Sequence, residues 1–528
     1  MSGDHSRPKD PARPFKWVTL ICSVVTVGFL VAAAVRENIS ADWRGHQAVF
    51  RGILEAKAKD DAARTTARNL PIEIRQVVVP ALHTVDRCVS CHLGIDDPRM
   101  TDQPNPHRVH PKRLLAIHRV EKFGCTVCHQ GQGAALNFEE AKAEDYFWDY
   151  PLLPAKFTEA TCASCHDPRA LPAGSAEKLV LGMQLFEQKG CNACHKLNGK
   201  GGQLGPALDN EGLKTKHQFV RVSLTGSQTN WNWFAEHFRD PAGIVAGSLM
   251  PMPALSQPQV EALTVFMLSL RQRDLPAEYL APDKIDEQYA RLHPPAPDGP
   301  ALYHRYCAAC HDTGLHSRWD KKFARFVPGI RNAAFIRTED DECLAENIRE
   351  GRPGTRMPGW GPKAGGLSDT EVAALVAYLR TSAPAMVLPA APPRGEATRG
   401  AALFAQECAG CHGMDGKGFI APALANPVFQ QAATDAFISQ TIRAGRENTP
   451  MPAFGRAGVS ESQIGDLLAY IRRWQPPIRQ ALLRFDEADS VGEKRDQGVP
   501  RGPLRCTERG GPPHTRTTAP PEARSQHP

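Results

Sequence analysis

Apolar positions along the 528 residues follow three regimes. The first is one unbroken run, Trp17 to Val35, 19 positions without a charge. As a helix rising 1.5 Å per residue it reaches about 28 Å, enough to cross the hydrocarbon core of a bilayer. The second regime has a polar stem with Ala-rich helical stretches (36–80), followed by a region without sustained period (81–173) that reads as loop-rich. The third regime repeats. Leu263, Phe266, Met267 and Leu270 fall at i, i+3, i+4, i+7, as do Val372, Leu375, Val376, Leu379 and Ile464, Leu467, Leu468, Ile471. Each set predicts a helix with one apolar stripe. Each is preceded by a capping box, Ser256-x-x-Gln259, Ser368-x-x-Glu371 or Ser460-x-x-Gln463.

The repeat extends further back. Each unit opens with a glycine and an apolar-aromatic pair: Gly182 with Leu185-Phe186, Gly299 with Leu302-Tyr303, Gly400 with Leu403-Phe404. Each later carries a Met-Pro, at Met250, Met357 and Met451. The predicted units are 174–280, 298–383 and 395–475. The Pro-rich joints Pro282–Pro300 and Pro384–Pro393 predict semi-rigid extended spacers. From 476 to 528 the chain is rich in Pro, Gly and Arg without apolar period and predicts disorder.

Hydrophobic residues at 41% and charged residues at 23% exclude a disordered chain and a polytopic membrane protein. A net charge of +6 is too weak to imply nucleic acid as a partner. Charge matters more at the N-terminus. Arg7, Lys9, Arg13 and Lys16 precede the apolar run, which puts residues 1–16 in the cytoplasm and the rest outside. Ala32-Ala33-Ala34 fits a signal-peptidase site, but the run exceeds a usual signal core, so the favoured reading is an uncleaved single-pass anchor at 17–35. The expected location is the cell (inner) membrane, with the bulk of the chain periplasmic.

The 15 cysteines are the unusual feature of the composition. Twelve form six copies of C-x-x-C-H, the attachment pattern of c-type haem. They are Cys88/Cys91/His92, Cys125/Cys128/His129, Cys162/Cys165/His166, Cys191/Cys194/His195, Cys307/Cys310/His311 and Cys408/Cys411/His412. Two thiols at this spacing reach the two vinyl groups on one macrocycle edge, and the adjacent histidine presents a nitrogen to iron. A redox pair or half a zinc site would not need a histidine directly after every one of six C-x-x-C pairs. Six covalently bound haem c groups are expected. They also account for sparse aromatics, at 7%. Their propionates turn +6 into about 0 with six ferric haems and about −6 when all are reduced. Cys22 lies in the apolar run, Cys343 reads as a small apolar helix residue, and Cys506 as a tail thiol; a Cys343–Cys506 disulfide has no support beyond both being left over.

The first three motifs start 37 residues apart, too little chain to enclose each haem separately, so 81–173 is expected to be a compact trihaem module. The three later units resemble class I monohaem cytochrome c domains, near 175–275, 298–382 and 395–475. That resemblance implies crossing N- and C-terminal helices and Met250, Met357 and Met451 as second iron ligands, with Met252 a rival to Met250. In the trihaem module the second ligands are expected among His110, His118, His83 and His107, with His46 further off and Met100 an alternative. The apolar anchor with Val85-Asp86-Arg87-Cys88, His110-Pro111 and Phe123-Gly124-Cys125 resembles multihaem subunits that accompany bacterial bc-type quinol-oxidising complexes.

The expected fold is therefore mostly α: a transmembrane helix, a loop-rich trihaem module and three tandem cytochrome c domains. The expected function is electron transfer from a quinol-oxidising cytochrome b-type complex to a cytochrome or oxidase. Two imidazoles leave haem iron at lower potential than His with Met, so electrons would run from the membrane-proximal module outward. The alternative, a multihaem reductase or peroxidase with an open iron, is disfavoured by the supply of Met and His ligands; a docking scaffold is a third reading.

Overall fold

Helices form where the apolar pattern places them. The computed structural model describes residues 13–476 apart from 40, 146, 220–223, 322–324, 353–355 and 448, so the C-terminal tail and Cys506 lie outside the described residues. The fold is mostly helical. Among the described residues, strands occur only as three short antiparallel ribbons: Val77–Val79 with Thr84–Asp86, Lys196–Leu197 with Lys200–Gly201, and Arg318–Asp320 with Arg325–Val327.

The apolar run forms a helix over Arg13–Asn38. Its Pro14–Arg36 stretch has a mean hydropathy of 2.5, is long enough to cross a membrane, and buries none of itself against the protein. The stem forms helices Asp42–Ala56 and Asp61–Arg68, the second capped by the Asp60 carboxylate accepting from Ala63 N at 2.7 Å. Gln47 is buried on the first and donates from Nε2 to the carbonyls of Glu73 (2.7 Å) and Ser90 (2.9 Å). Ser90 lies inside the first C-x-x-C-H, so the stem packs on that motif rather than standing off as a stalk.

Two compact units emerge. One comprises Met1–Leu185, Asn210–Ser248 and Met252–Leu292; the other comprises Phe186–Asp209, Leu249–Pro251 and His293–Pro528.

The opening glycines have a steric reason. A Cβ on Gly182 would lie 2.1 Å from the Ala262 carbonyl oxygen, on Gly299 2.4 Å from that of Ala374, and on Gly400 2.0 Å from that of Asp466. In each repeat the opening helix therefore touches the backbone of the closing helix, and only hydrogen fits between them. The closing helices span Gln257–Ser269, Asp369–Arg380 and Glu461–Ile471, each with its capping box formed. Behind the second crossing Tyr303, Ile336, Leu367 and Leu375 are buried together; behind the third are Phe404, Ile464, Leu467 and Leu468.

Two expectations are corrected. Helix Gln257–Ser269 carries more than one stripe: every residue from Ala262 to Ser269 is buried, because the 3₁₀ segment Ala155–Ser164 covers its other side, and Leu270 is the cap beyond its end. The Pro282–Pro300 joint is not an extended spacer. Pro282 starts an 11-residue helix, Pro282–Leu292, since a proline at the first helical position costs no hydrogen bond and presets φ.

Candidate haem sites

In the first unit the three motifs are tied together by short-range contacts. Buried Asp86, two residues before Cys88, accepts from Thr126 N at 3.0 Å, from Thr126 Oγ1 at 2.7 Å and from Cys125 N, so it caps the helical turn Thr126–His129 of the second motif. The Cys88 and Cys125 side chains lie close enough to shift each other's pKa, that of Cys88 down and that of Cys125 up. Thr161 Oγ1 donates to the Cys128 carbonyl at 3.2 Å, joining the second motif to the third.

Histidine rings pair across these motifs. His110 stands 6.2 Å from His129, centroid to centroid, with planes at 76°, and His118 stands 6.0 Å from His166 with planes at 81°. Metal–imidazole bonds of about 2 Å put two rings sharing one metal about 6 Å apart. The donor set therefore fits an iron between each pair. His92 lies close enough to His46 and His107 for both to lower its pKa, after burial and His129. His107 and His46 are themselves 5.9 Å apart, and the buried Nδ1 of His107 has no hydrogen-bond partner among the described residues. His83 is exposed at φ 52° and has no histidine ring against it among the described residues. Met100 is fully buried.

Partners at Nδ1 fix the tautomer of three motif histidines. His195 Nδ1 lies 2.8 Å from the Pro206 carbonyl, His311 Nδ1 2.9 Å from that of Pro328, and His412 Nδ1 2.8 Å from that of Pro422. A carbonyl only accepts, so Nδ1 carries the proton and Nε2 is the available donor to a metal. His166 differs: its Nδ1 faces the Asp283 carboxylate at 3.2 Å, and the same carboxylate caps Asp167 N at 3.0 Å. Nothing in the sequence marks Asp283, which acts across 117 residues from helix Pro282–Leu292.

All twelve motif cysteines are free of disulfides. Most of their sulfur positions are apolar. Burial pushes the Cys191 and Cys307 thiols up to about 12 and those of Cys91, Cys162 and Cys408 up to about 11. Such sites suit neutral thioethers and disfavour thiolate chemistry. For Cys194 and Cys411, the second thiols of the fourth and sixth motifs, the expected attachment role rests on motif spacing and backbone placement. Both are half-buried, and hydrogen bonds to their carbonyls fix the main chain: Gly205 N donates to Cys194 O at 2.9 Å, and Ile420 N and Ala421 N donate to Cys411 O at 3.1 and 3.0 Å. No group of three or more His, Cys, Asp or Glu able to hold a metal ion is present among the described residues.

The methionine loops repeat in detail. Arg352 N donates to Met357 O at 2.9 Å and Arg446 N to Met451 O at 3.1 Å; Trp360 N donates to Ile348 O and Phe454 N to Ile442 O, so that the second loop repeats the first at an offset of 94 residues. Gly351 at φ 72° and Gly445 at φ 66° close the two loops, where a Cβ would meet the Met-Pro backbone within 2.6 Å. Met357 and Met451 pack on the cores of their units. Met250 is half-buried whereas Met252 is 69% exposed.

Motifs four and five touch. Gly190 packs on Ala309, where a Cβ would be 2.6 Å from the Ala309 Cβ. Glu187–Arg305 (2.8 Å) and Lys200–Glu371 (2.7 Å) ion pairs flank this contact.

Comparison with known proteins agrees with this geometry. The family described as cytochrome c oxidase, cbb3-type, subunit III matches residues 294–379 and 395–471, and the family described as cytochrome c matches 179–271. A cytochrome c-553-like protein of Synechocystis is 34% identical over 79 residues, which are 15% of this chain and 70% of that protein. The chain belongs to the cytochrome c family. Other relatives of this cytochrome are the cbb3-type cytochrome c oxidase subunit FixP of Bradyrhizobium, 29% identical over 168 residues (30% of this chain, 53% of FixP), and cytochrome c oxidase subunit 2 of Alkalihalophilus pseudofirmus, 33% identical over 92 residues (17% and 25%). The cytochrome thus spans about half of FixP and a quarter of that oxidase subunit. Its cytochrome c domains carry covalent haem c, and those at 294–379 and 395–471 are like cbb3 oxidase subunit III.

Proposed function

We propose that the cytochrome is a membrane-anchored, six-haem electron wire, taking electrons from a quinol-oxidising cytochrome b-type complex and passing them to a periplasmic or membrane-bound cytochrome or oxidase. The observation that carries this reading is the change of donor set along the chain. Histidine faces histidine at His110/His129 and His118/His166, whereas Met357 and Met451 line the cores of the last two motif units. Bound haem supplies reversible one-electron exchange, at higher potential with Met and His than with two imidazoles.

The chain's own residues do the rest. The six C-x-x-C-H cysteine pairs, Cys191/Cys194 and Cys408/Cys411 included, hold thioethers. His92, His129, His166, His195, His311 and His412 present Nε2. The second ligands would be His110, His118, Met250, Met357 and Met451, with His107 serving the first motif because its buried ring nitrogen is otherwise unsatisfied. His83 is left out, since it is exposed. Asp86 and the Cys88–Cys125 contact keep the first two attachment sites together, and Gly190 on Ala309 does so for the fourth and fifth. The apolar helix Pro14–Arg36 would hold the start of the wire at the membrane. Likeness to the FixP subunit favours an oxidase on the acceptor side.

A potentiometric titration of the purified full chain tests the reading. Two resolved groups of waves are expected, three haems in each. Six haems titrating as one narrow group would overturn the gradient, and an intact mass short of six haems would overturn the stoichiometry.

A further inference from the structure

Two half-buried arginines, Arg271 and Arg446, have no ion-pair partner among the described residues, and partial loss of water lowers the pKa of both. A guanidinium removed from water costs several kcal/mol unless a negative charge or a full set of acceptors replaces the solvent. Elsewhere the cytochrome follows that rule: the buried Arg472 head, for example, meets the Asp435 carboxylate at 2.7 Å.

Arg446 sits where the third cytochrome unit meets the second. Its Nη1 reaches Thr338 Oγ1 at 3.2 Å and its Nη2 reaches Thr441 Oγ1 at 3.1 Å. The guanidinium lies between the rings of Phe335 and Phe437, 5.5 and 4.9 Å from their centres. Two neutral hydroxyls do not compensate a cation. Glu339 attracts it from beyond ion-pair distance, while Arg352 adds a second positive charge that His311 also feels. Arg271 repeats the situation in the first unit. Its Nε donates to Leu268 O at 2.7 Å, and its head meets the Gln130 amide immediately after His129. Arg446 thus bridges its own unit (Phe437, Thr441) to the second (Phe335, Thr338), and Arg271 bridges its own Leu268 to Gln130 beside the second motif.

We propose that Arg446 and Arg271 receive haem propionates across domain joints, Arg446 those of the haem at Cys307/Cys310 and Arg271 those of the haem at Cys125/Cys128. Each arginine then docks one cytochrome unit on the next and sets the charge beside the neighbour's iron. The inference rests on the six-haem reading for the position at Cys125, and for Arg446 on the cytochrome c domains alone.

The test uses the full holo-chain with Arg446→Gln, Arg446→Lys and the double variant Thr338→Val/Thr441→Val, followed by potentiometry between about pH 5 and 8. Removing the cation leaves the propionates free to titrate. In Arg446→Gln one higher-potential wave should move down and acquire a pH slope absent from the parent; Arg446→Lys should keep the parent wave. The valine pair, which leaves the charge in place, should also keep it and so preserves the test if Arg446→Gln fails to assemble. A parent-like wave and slope in Arg446→Gln, or an equal shift in the lysine or valine variants, would overturn the proposal. Arg271→Gln should act in the same way on one lower-potential wave and leave the wave sensitive to Arg446 unmoved. A wild-type mass below six haems would instead count against the stoichiometry.

Discussion

His118 stands edge-on to His166, their ring centres 6.0 Å apart and their planes at 81°, although 48 residues separate them in the chain. Burial and the neighbouring His166 both lower the pKa of His118, so the ring is neutral near pH 7 and free to act as a ligand. His118→Ala should open one lower-potential haem. The reduced variant should bind carbon monoxide at one haem in six, read by difference spectroscopy, while the parent binds none.

Asp283 is the only carboxylate paired with a motif histidine among the described residues. A carboxylate acceptor makes the imidazole more basic and stabilises ferric iron. Asp283→Asn should raise the potential of the haem at Cys162/Cys165 and leave the other five in place; an unchanged titration curve would remove Asp283 from the electronic argument.

The two methionines in Met250-Pro-Met252 should separate cleanly. With Met252 69% exposed, Met252→Leu should leave all potentials unchanged, whereas Met250→Leu should remove one higher-potential wave. The reverse result would exchange their roles.

Helix crossing leaves no room at Gly400. A Cβ there meets the Asp466 carbonyl at 2.0 Å, so backbone must move. Gly400→Ala should destabilise the third cytochrome unit by about 1–3 kcal/mol, the cost of an overpacked contact. Faster amide exchange confined to Glu461–Ile471 and Ala397–Glu407 would show it.

Asp466, in the same crossing, accepts from Arg399 Nε and Nη2, both at 2.8 Å, and from Glu396 N at 2.7 Å. The Arg399 hydrogen bonds hold its carboxyl below the usual carboxylate range. A depressed folded-state pKa adds stability above about pH 4, and that stability is lost as the pH falls through the folded value. The parent should therefore exceed Asp466→Asn in denaturant midpoint at pH 7, and the gap should close in acid. A gap independent of pH would assign the effect to packing.

Much of this was legible in the residues themselves. The C-x-x-C-H motifs, the glycines at 182, 299 and 400 and the serine caps are local signals, and a local signal survives folding because its partner lies within a turn or on a helix with its own period. The histidine pairs are half legible: the sequence offers His110 and His118 as donors, but which motif each faces depends on how the loops of 81–173 close, and no periodicity encodes that. Asp283 was hidden by its setting, since a Pro-rich joint reads as spacer until Pro282 is seen to begin a helix. Arg271 and Arg446 were hidden by composition, where an arginine with an enclosed head counts the same as a solvated one.

The prolyl carbonyls behind His195, His311 and His412 have a last consequence. Main-chain oxygen survives replacement of the side chain it belongs to and does not protonate in the physiological range. Any residue whose backbone follows the same path would hold those three imidazoles equally well. The Nδ1 contacts of these three imidazoles are thus insulated from both side-chain replacement and acidity, whereas that of His166, made by the Asp283 carboxylate, can be retuned by a single substitution.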